Sequence, residues 1–273
     1  MKLSKLVEAI EALVPLEYAA TWDNVGLLYG NPEKDIKHIT LCLDITSKAL
    51  DFALSKGSQL CISHHPLLFD PINRFDQKDP HTRIITRLIQ EDMAFYASHT
   101  NLDAALGGVS DCLLSALGLK KDTSESQDIF FPVEIKEQVK NFDSLKYGRV
   151  TFDYDRLTLS SLYEKILSSL DSPGLLMNFD QDGLAGKIYV AGGSFDSDWI
   201  EDIIPMKVRT VITGEMKYHH MLYLAEHGIN VFVLGHDVSE RVVLDPFASL
   251  LRKVLPSISI DVYRGLDYNK FVS

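Results

Sequence analysis

Cysteine is scarce in this chain. Cys42, Cys61 and Cys112 are all that occur in 273 residues. Their odd number and the absence of CxxC spacing exclude a disulfide framework. Each sits among apolar neighbours and reads as a buried thiol of a reducing compartment. Clustered positive charge is missing too. No run of five Lys or Arg occurs and the formal net charge is -11, which leaves no electrostatic footprint for nucleic acid. No apolar run approaches the roughly 18 residues needed to cross a bilayer. These absences point to a soluble cytoplasmic protein with neither nucleic-acid nor membrane partners. What is present, 46% hydrophobic and 24% charged residues, suffices for a substantial core in one large or two modest domains.

The apolar pattern alternates between two periods. Leu3, Leu6, Val7, Ile10 and Leu13 share one helical face, and Pro15 ends it. Glu8 and Glu11 interrupt that segment, so it reads as an amphipathic helix and not as a signal peptide. Strands are expected over Ile39 to Leu43, Gln59 to Ser63 and Met93 to Ala97. Helices are expected over Ser47 to Lys56, with Gly57 as the stop, and over Thr82 to Glu91. The second half repeats the plan. Strands are expected at Lys187 to Ala191, Thr210 to Thr213 and Asn230 to Leu234, and helices at Ser197 to Ile204, Met221 to His227 and, as one long element, Ser239 to Val254.

Such alternation implies an α/β fold whose mostly parallel or mixed sheets are flanked by helices. The halves match in order. Strand, loop, helix, strand and histidine pair describes both Ile39–His65 and Ile188–His220. Strand, histidine, three residues and an acid describes both His99–Asp103 and His236–Glu240. We read this as an internal duplication giving two similar α/β domains. The polar stretch Lys120 to Ser126 marks the expected boundary. It assigns residues 1–125 plus 235–273 to the first domain and 126–234 to the second.

Ligands collect at the carboxyl ends of strands in such sheets. The residues following those ends are His64 and His65 (in Ser63-His64-His65-Pro66-Leu67), Asp103, His236 and Glu240. Two imidazoles side by side in an apolar context need a partner, and a bend before Pro66 fans them apart. Asp103 taken alone reads as a helix cap, and Glu240 as a first-turn dipole partner; their joint placement makes them ligand candidates. Five ligands exceed one tetrahedral ion and underfill two, leaving positions for water or substrate. Two ions about 3.5–4 Å apart activate water and polarise a substrate. A mixed imidazole and carboxylate set suits Zn, Fe, Mn or Co without choosing among them. His99 reads as a supporting residue behind the ligands, and Asp23 and Asp44 as loop anchors. Glu215 and His219 are candidates for substrate contact or proton transfer. His81 and His227 read as ordinary histidines.

Trp22-Asp23-Asn24-Val25-Gly26, Ser63-His64-His65-Pro66-Leu67, His99-Thr100-Asn101-Leu102-Asp103, Thr213-Gly214-Glu215 and Gly235-His236 with Glu240 resemble the signatures of the NGG-one-interacting-factor-three-like family. That family is also labelled GTP cyclohydrolase I type 2. The matches run in order over most of the chain. The resemblance implies a dinuclear centre between the two α/β domains, with ligands His64, His65, Asp103, His236 and Glu240. It also implies a ring-shaped homohexamer and water attack on GTP with release of formate. Lys120 to Gly186 is too short for the middle domain inserted in longer members, so the chain resembles a compact one. No Gly-rich phosphate cradle of the Walker type is present. Lys217, Arg209 and Arg241 lie near the motifs and read as solvated charges. The resulting expectation is a metal-dependent hydrolase acting on a small nucleotide-like or phosphorylated substrate. The alternatives are a metal storage or delivery protein, and a regulatory protein in which metals only join domains.

Overall fold

The structure, a computed structural model, describes residues 1–119, 147–170, 176–178 and 183–265. It contains ten strands in two five-stranded sheets among these residues. The strands are β1 (Gly26–Tyr29), β2 (His38–Cys42), β3 (Leu60–Ser63), β4 (Ala94–Ala97), β5 (Arg149–Thr158), β6 (Leu176–Asn178), β7 (Leu184–Ser194), β8 (Thr210–Glu215), β9 (Asn230–Val233) and β10 (Ser259–Val262). The first sheet runs β1-β4-β3-β2-β10 and the second β5-β7-β8-β9-β6.

The sheets repeat one topology. In the first, β2, β3 and β4 are mutually parallel and β1 lies antiparallel on β4. In the second, β7, β8 and β9 are parallel and β6 lies antiparallel on β9. Each sheet is therefore one antiparallel strand followed in sequence by three parallel strands. Only the fifth strand differs: β10 is parallel to β2, whereas β5 is antiparallel to β7. The duplication expected from the sequence is thus present in the strand order.

Two faces of the second sheet are buried. Ile188, Val190, Ile212 and Phe232 face a cluster that includes Leu113, Leu162 and Ile166. Their neighbours Tyr189, Ala191, Val211, Val231 and Val233 face another with Trp199, Ile203 and Leu224. Burial on both faces is why these strands read as nearly continuous apolar runs and not as alternation. In the first sheet, Cys42, Cys61, Phe95 and Ala97 pack with Ala49, Leu50, Ala53 and Leu88 from the helices Ser47–Ser55 and Pro80–Gln90.

The first helix, Leu3–Leu13, has the expected bounds, with Leu3, Leu6 and Ile10 buried. Gly57 adopts φ +70° just past the helix Ser47–Ser55, as its stop signal implied. The helix expected from Thr82 starts at Pro80. Asp79 caps it by accepting from the Thr82 backbone N–H at 2.8 Å, and proline fits the first turn. The Met221 to His227 helix begins earlier, covering Tyr218–Glu226.

Two expectations are corrected. The single helix over Ser239 to Val254 is three pieces: His236–Glu240, a 3-10 turn Arg241–Val243, and Leu244–Val254. Pro246 explains the break, because it has no N–H for the Val242 carbonyl and its ring would crowd that group in a continuous helix. The strand β10 was also missed, although Ile260 and Val262 alternate with more open neighbours and pair with Ile39 and Leu41.

By contact the chain divides into Met1–Ala105 with Leu244–Ser273, and Leu106–Val243. The helix Val109–Ala116 goes with the second unit because Leu113 and Leu114 join its core. Asp111 on that helix also holds the fully buried Arg149 of β5 through two bonds of 2.8 and 3.0 Å. The expected boundary stretch Lys120 to Ser126 lies outside the described residues. Among the described residues no helix is long and apolar enough to cross a membrane.

Candidate metal centre

In the first unit the chain leaves β3 at Ser63 and bends at once. The Ser63 hydroxyl donates to the His65 carbonyl at 2.6 Å, a local bond that turns the backbone out of the strand. The bend does not send the two imidazoles to separate places. Their ring centroids are 4.9 Å apart, and His99, which follows β4, stands 5.2 Å from His64 and 5.5 Å from His65. One ligand atom from each of His64, His65 and His99 falls within 4.8 Å of the others, close enough to hold a metal ion.

The hydrogen bonds set the tautomers. His64 is buried, and its Nδ1 lies 2.9 Å from the Ser98 carbonyl, which can only accept. In the neutral ring Nδ1 therefore carries the proton and Nε2 the lone pair. His65 Nδ1 likewise donates to Asp44 Oδ1 at 2.8 Å, and His99 Nδ1 to Asp23 Oδ1 at 2.9 Å. Three imidazoles are thus held through Nδ1 by an oxygen, the arrangement that fixes ring orientation in histidine metal sites. Asp103 brings Oδ1 to 3.6 Å from His64 Nε2, beyond a good hydrogen bond.

Asp23 is the anchor of this group. Its side chain is inaccessible, yet it accepts from His99 Nδ1, from the Thr100 backbone N–H at 3.0 Å and from the Thr100 hydroxyl. Burial alone would raise its carboxyl; the bonds from His99 and Thr100 outweigh that and lower it to about 2. Asp23 and Asp44 are therefore loop anchors that also orient imidazoles.

In the second unit, His236 and Glu240 begin and end the short helix His236–Glu240. His236 Nε2 is 3.0 Å from Glu240 Oε1, and its Nδ1 is 3.2 Å from Glu215 Oε2. Glu240 is buried. Ser239 braces the turn, its hydroxyl donating to the His236 carbonyl at 2.7 Å and accepting from the Gly193 N–H at 2.9 Å. Gly193 has φ +65°, and a Cβ there would collide with Glu240 Oε1. The strand-end glycine is thus required by the buried carboxylate.

Strand register refines the correspondence between the halves. Ser63 pairs with Cys42 and Thr213 with Ala191 at equivalent places. The residues after them are His64-His65 in one half and Gly214-Glu215 in the other. The pair His219-His220 is not the equivalent of His64-His65; it lies further on, in the helix Tyr218–Glu226. His99 follows β4 by two residues and His236 follows β9 by three, the extra residue being Gly235 at φ +100°. Each half thus presents a histidine and, four residues on, an acid beside a five-residue helix.

The structure brings His64, His65 and Asp103 together in one unit, and His236, Glu240 and Glu215 in the other. His99, expected behind the ligands, stands in the cluster itself. Its signal was the His-x-x-x-acid spacing it shares with His236. His219 is exposed, its ring packs on His220 at 4.2 Å, and its side chain makes no hydrogen bond or ion pair with another described residue. Burial and the neighbouring His219 and Lys217 lower the His220 imidazole below its ordinary value. His81 gives its Nε2 to the Leu67 carbonyl, and His227 its Nδ1 to the Tyr223 carbonyl at 2.8 Å, as ordinary histidines do.

Known proteins resemble this chain in sequence and in fold. A profile of the family described as Duf34/NIF3 (NGG1p interacting factor 3) matches residues 1–265. A Clostridium perfringens protein named GTP cyclohydrolase 1 type 2 homolog is 31% identical over 257 residues, covering 94% of each chain. NIF3-like protein 1 of Drosophila melanogaster is 29% identical over 255 residues, covering 93% of this chain and 83% of the relative. The crystal structure of a Bacillus cereus protein related to NIF3 superposes with a TM-score of 0.85 at 21% identity, covering 100% of this chain and 99% of that one.

Proposed function

This chain belongs to the Duf34/NIF3 family, and on that premise we propose that it is a metal-dependent hydrolase of a small nucleotide-like or phosphorylated substrate. Its ligands are His64, His65 and Asp103 from one unit and His236 and Glu240 from the other. They hold two divalent ions drawn from Zn, Fe, Mn or Co. The name of the C. perfringens relative makes GTP the first substrate to try.

One observation carries this reading. His64 commits its Nδ1 proton to a backbone carbonyl, and His65 and His99 commit theirs to carboxylates. Each neutral ring therefore keeps its electron pair on Nε2, and one ligand atom of each lies within 4.8 Å of the others. The donor set, imidazole and carboxylate without thiolate, fits an exchangeable catalytic ion better than a closed structural one. Bound divalent ions supply Lewis acidity and a water ionised near neutral pH. The protein's own groups do the rest. Asp23, Asp44 and Glu215 hold His99, His65 and His236 in register. Glu215, engaged with His236, serves orientation better than proton transfer. His219, exposed on the first turn of its helix, keeps the assignment of moving a proton at the substrate. A cytoplasmic ring-shaped homohexamer completes the reading.

Metal analysis after reconstitution tests it. About two ions per chain are expected, falling in Glu240→Gln and in His64→Ala while the far-ultraviolet circular dichroism stays unchanged. A protein that takes up no metal would remove the proposal. Reconstituted protein is then screened against nucleotides, phosphoesters and cyclic amides, with GTP scored for formate. Loaded protein that turns over nothing but passes its metal to an apoprotein would favour storage or delivery instead.

A further inference from the structure

Two of the largest exposed apolar side chains stand beside the imidazole cluster. Trp22 is 63% exposed and Phe69 48%. Their rings meet edge to face, with centroids 5.8 Å apart at 62°. Each also meets His99 edge to face, Trp22 at 6.3 Å and 70°, Phe69 at 6.4 Å and 79°. Trp22, Phe69 and His99 therefore form a corner of three rings, and His99 continues it into His64 and His65.

The corner is built. Asp23, next to Trp22, is fastened to His99 and Thr100 as described above. Asn24 sends its side-chain amide to the Leu68 carbonyl, next to Phe69, and His81 sends Nε2 to the Leu67 carbonyl. The Trp22 loop and the Phe69 loop are thus tied to each other and to the strand end that carries His99. Trp22 thus stands in water on a loop that is itself tied down, whereas the aromatics of the central strand β4, Phe95 and Tyr96, are almost completely buried.

We propose that Trp22 and Phe69 receive a flat heteroaromatic ring, of the nucleobase class, and seat it next to the His64, His65 and His99 cluster. Aromatic faces stack on any base, and edge-to-face neighbours leave such faces available. The proposal deepens the metal-hydrolase reading and rests on it for the chemistry. It assigns to this corner the base of the substrate, and to the metal side the atoms that react.

Isothermal titration of metal-loaded protein with GTP, guanosine and tripolyphosphate separates these roles. Trp22→Ala and Phe69→Ala should each weaken GTP and guanosine by about tenfold or more, the scale of one lost base stack. Tripolyphosphate affinity and metal content should not change. Trp22→Phe should recover most of the loss. Both residues are exposed, so the variants should keep the wild-type circular dichroism. Equal GTP affinity in all four proteins, or no guanosine binding to the wild type, would overturn the proposal. So would Trp22 fluorescence already shielded from acrylamide before ligand is added, which would mean that another chain covers the corner. Failure of the metal reading is seen separately, as wild-type protein without metal, and guanosine titration of that protein still decides for or against the ring site.

Discussion

Asp23 illustrates how one buried carboxylate holds a site together. It accepts from three donors on His99 and Thr100 and from the Asn24 N–H at 2.8 Å. Its carboxyl is lowered from 3.8 to about 2, so the folded state favours the ionised form. The stabilisation is therefore complete above pH 4 and lost as the pH falls toward 2. The shift corresponds to about 2 kcal/mol. Asp23→Asn keeps one carbonyl acceptor for these donors. It should lower the melting temperature at pH 7 by about 4–8 °C and flatten the acid limb of the stability profile between pH 4 and 2. An unchanged acid limb would contradict this role. The cysteines make a second residue-scale case. Cys42 and Cys61 are buried, and burial pushes the Cys61 thiol up to about 12 and the Cys42 thiol well above its ordinary value. Cys112 is only partly buried, contrary to the sequence expectation of three buried thiols, and its partial burial beside Asp111 pushes the thiol up to about 11. Under native conditions iodoacetamide should label Cys112 slowly and the other two not at all, as read by peptide mass spectrometry. Rapid labelling of Cys61 would contradict its burial.

At the scale of elements, the short helix His236–Glu240 shows how a strand end is shaped for side chains. Its histidine and carboxylate share a face because they are four residues apart. Its packing on β7 requires that Gly193 have no side chain. Gly193→Ala meets two obstacles, a left-handed backbone costing about 1–2 kcal/mol and a collision with Glu240. The variant should melt lower and, by displacing Glu240, also lose bound metal. Melting lower with full metal content would mean that Glu240 is not a ligand. The turn Arg241–Val243 follows it, and the next helix, Leu244–Val254, carries a proline in its first turn.

At the scale of the whole molecule, the repeated strand order gives each unit its own histidine and, four residues on, an acid. Metal that binds only the folded chain raises its stability by mass action, about 2.7 kcal/mol at a hundred times the dissociation constant. Adding EDTA to the loaded protein should therefore lower the melting temperature by about 5–10 °C. His65→Ala and Glu240→Gln should each abolish most of that difference, because they remove donors from opposite units. A chelator effect that survives in either variant would place the metal in the other unit alone. Light scattering should give a mass near six chains if the homohexamer forms, and a monomer would remove that part of the proposal.

The sequence by itself determined the alternation of strands and helices, the bounds of the first helix, and the histidines and acids at strand ends. Those features are local: period, caps, stops and strand-end placement act over a few residues. Pro246 carried the break in the last helix as a local signal too, although the apolar periodicity masked it. Tertiary structure alone decided that His99 stands with His64 and His65, that Glu215 turns toward His236, and that β10 returns to β2. Those outcomes depend on groups far apart in sequence, such as Asp23 with His99 and Ile260 with Ile39. Which imidazole nitrogen keeps its electron pair is likewise set by a distant oxygen, and only the fold brings that oxygen near.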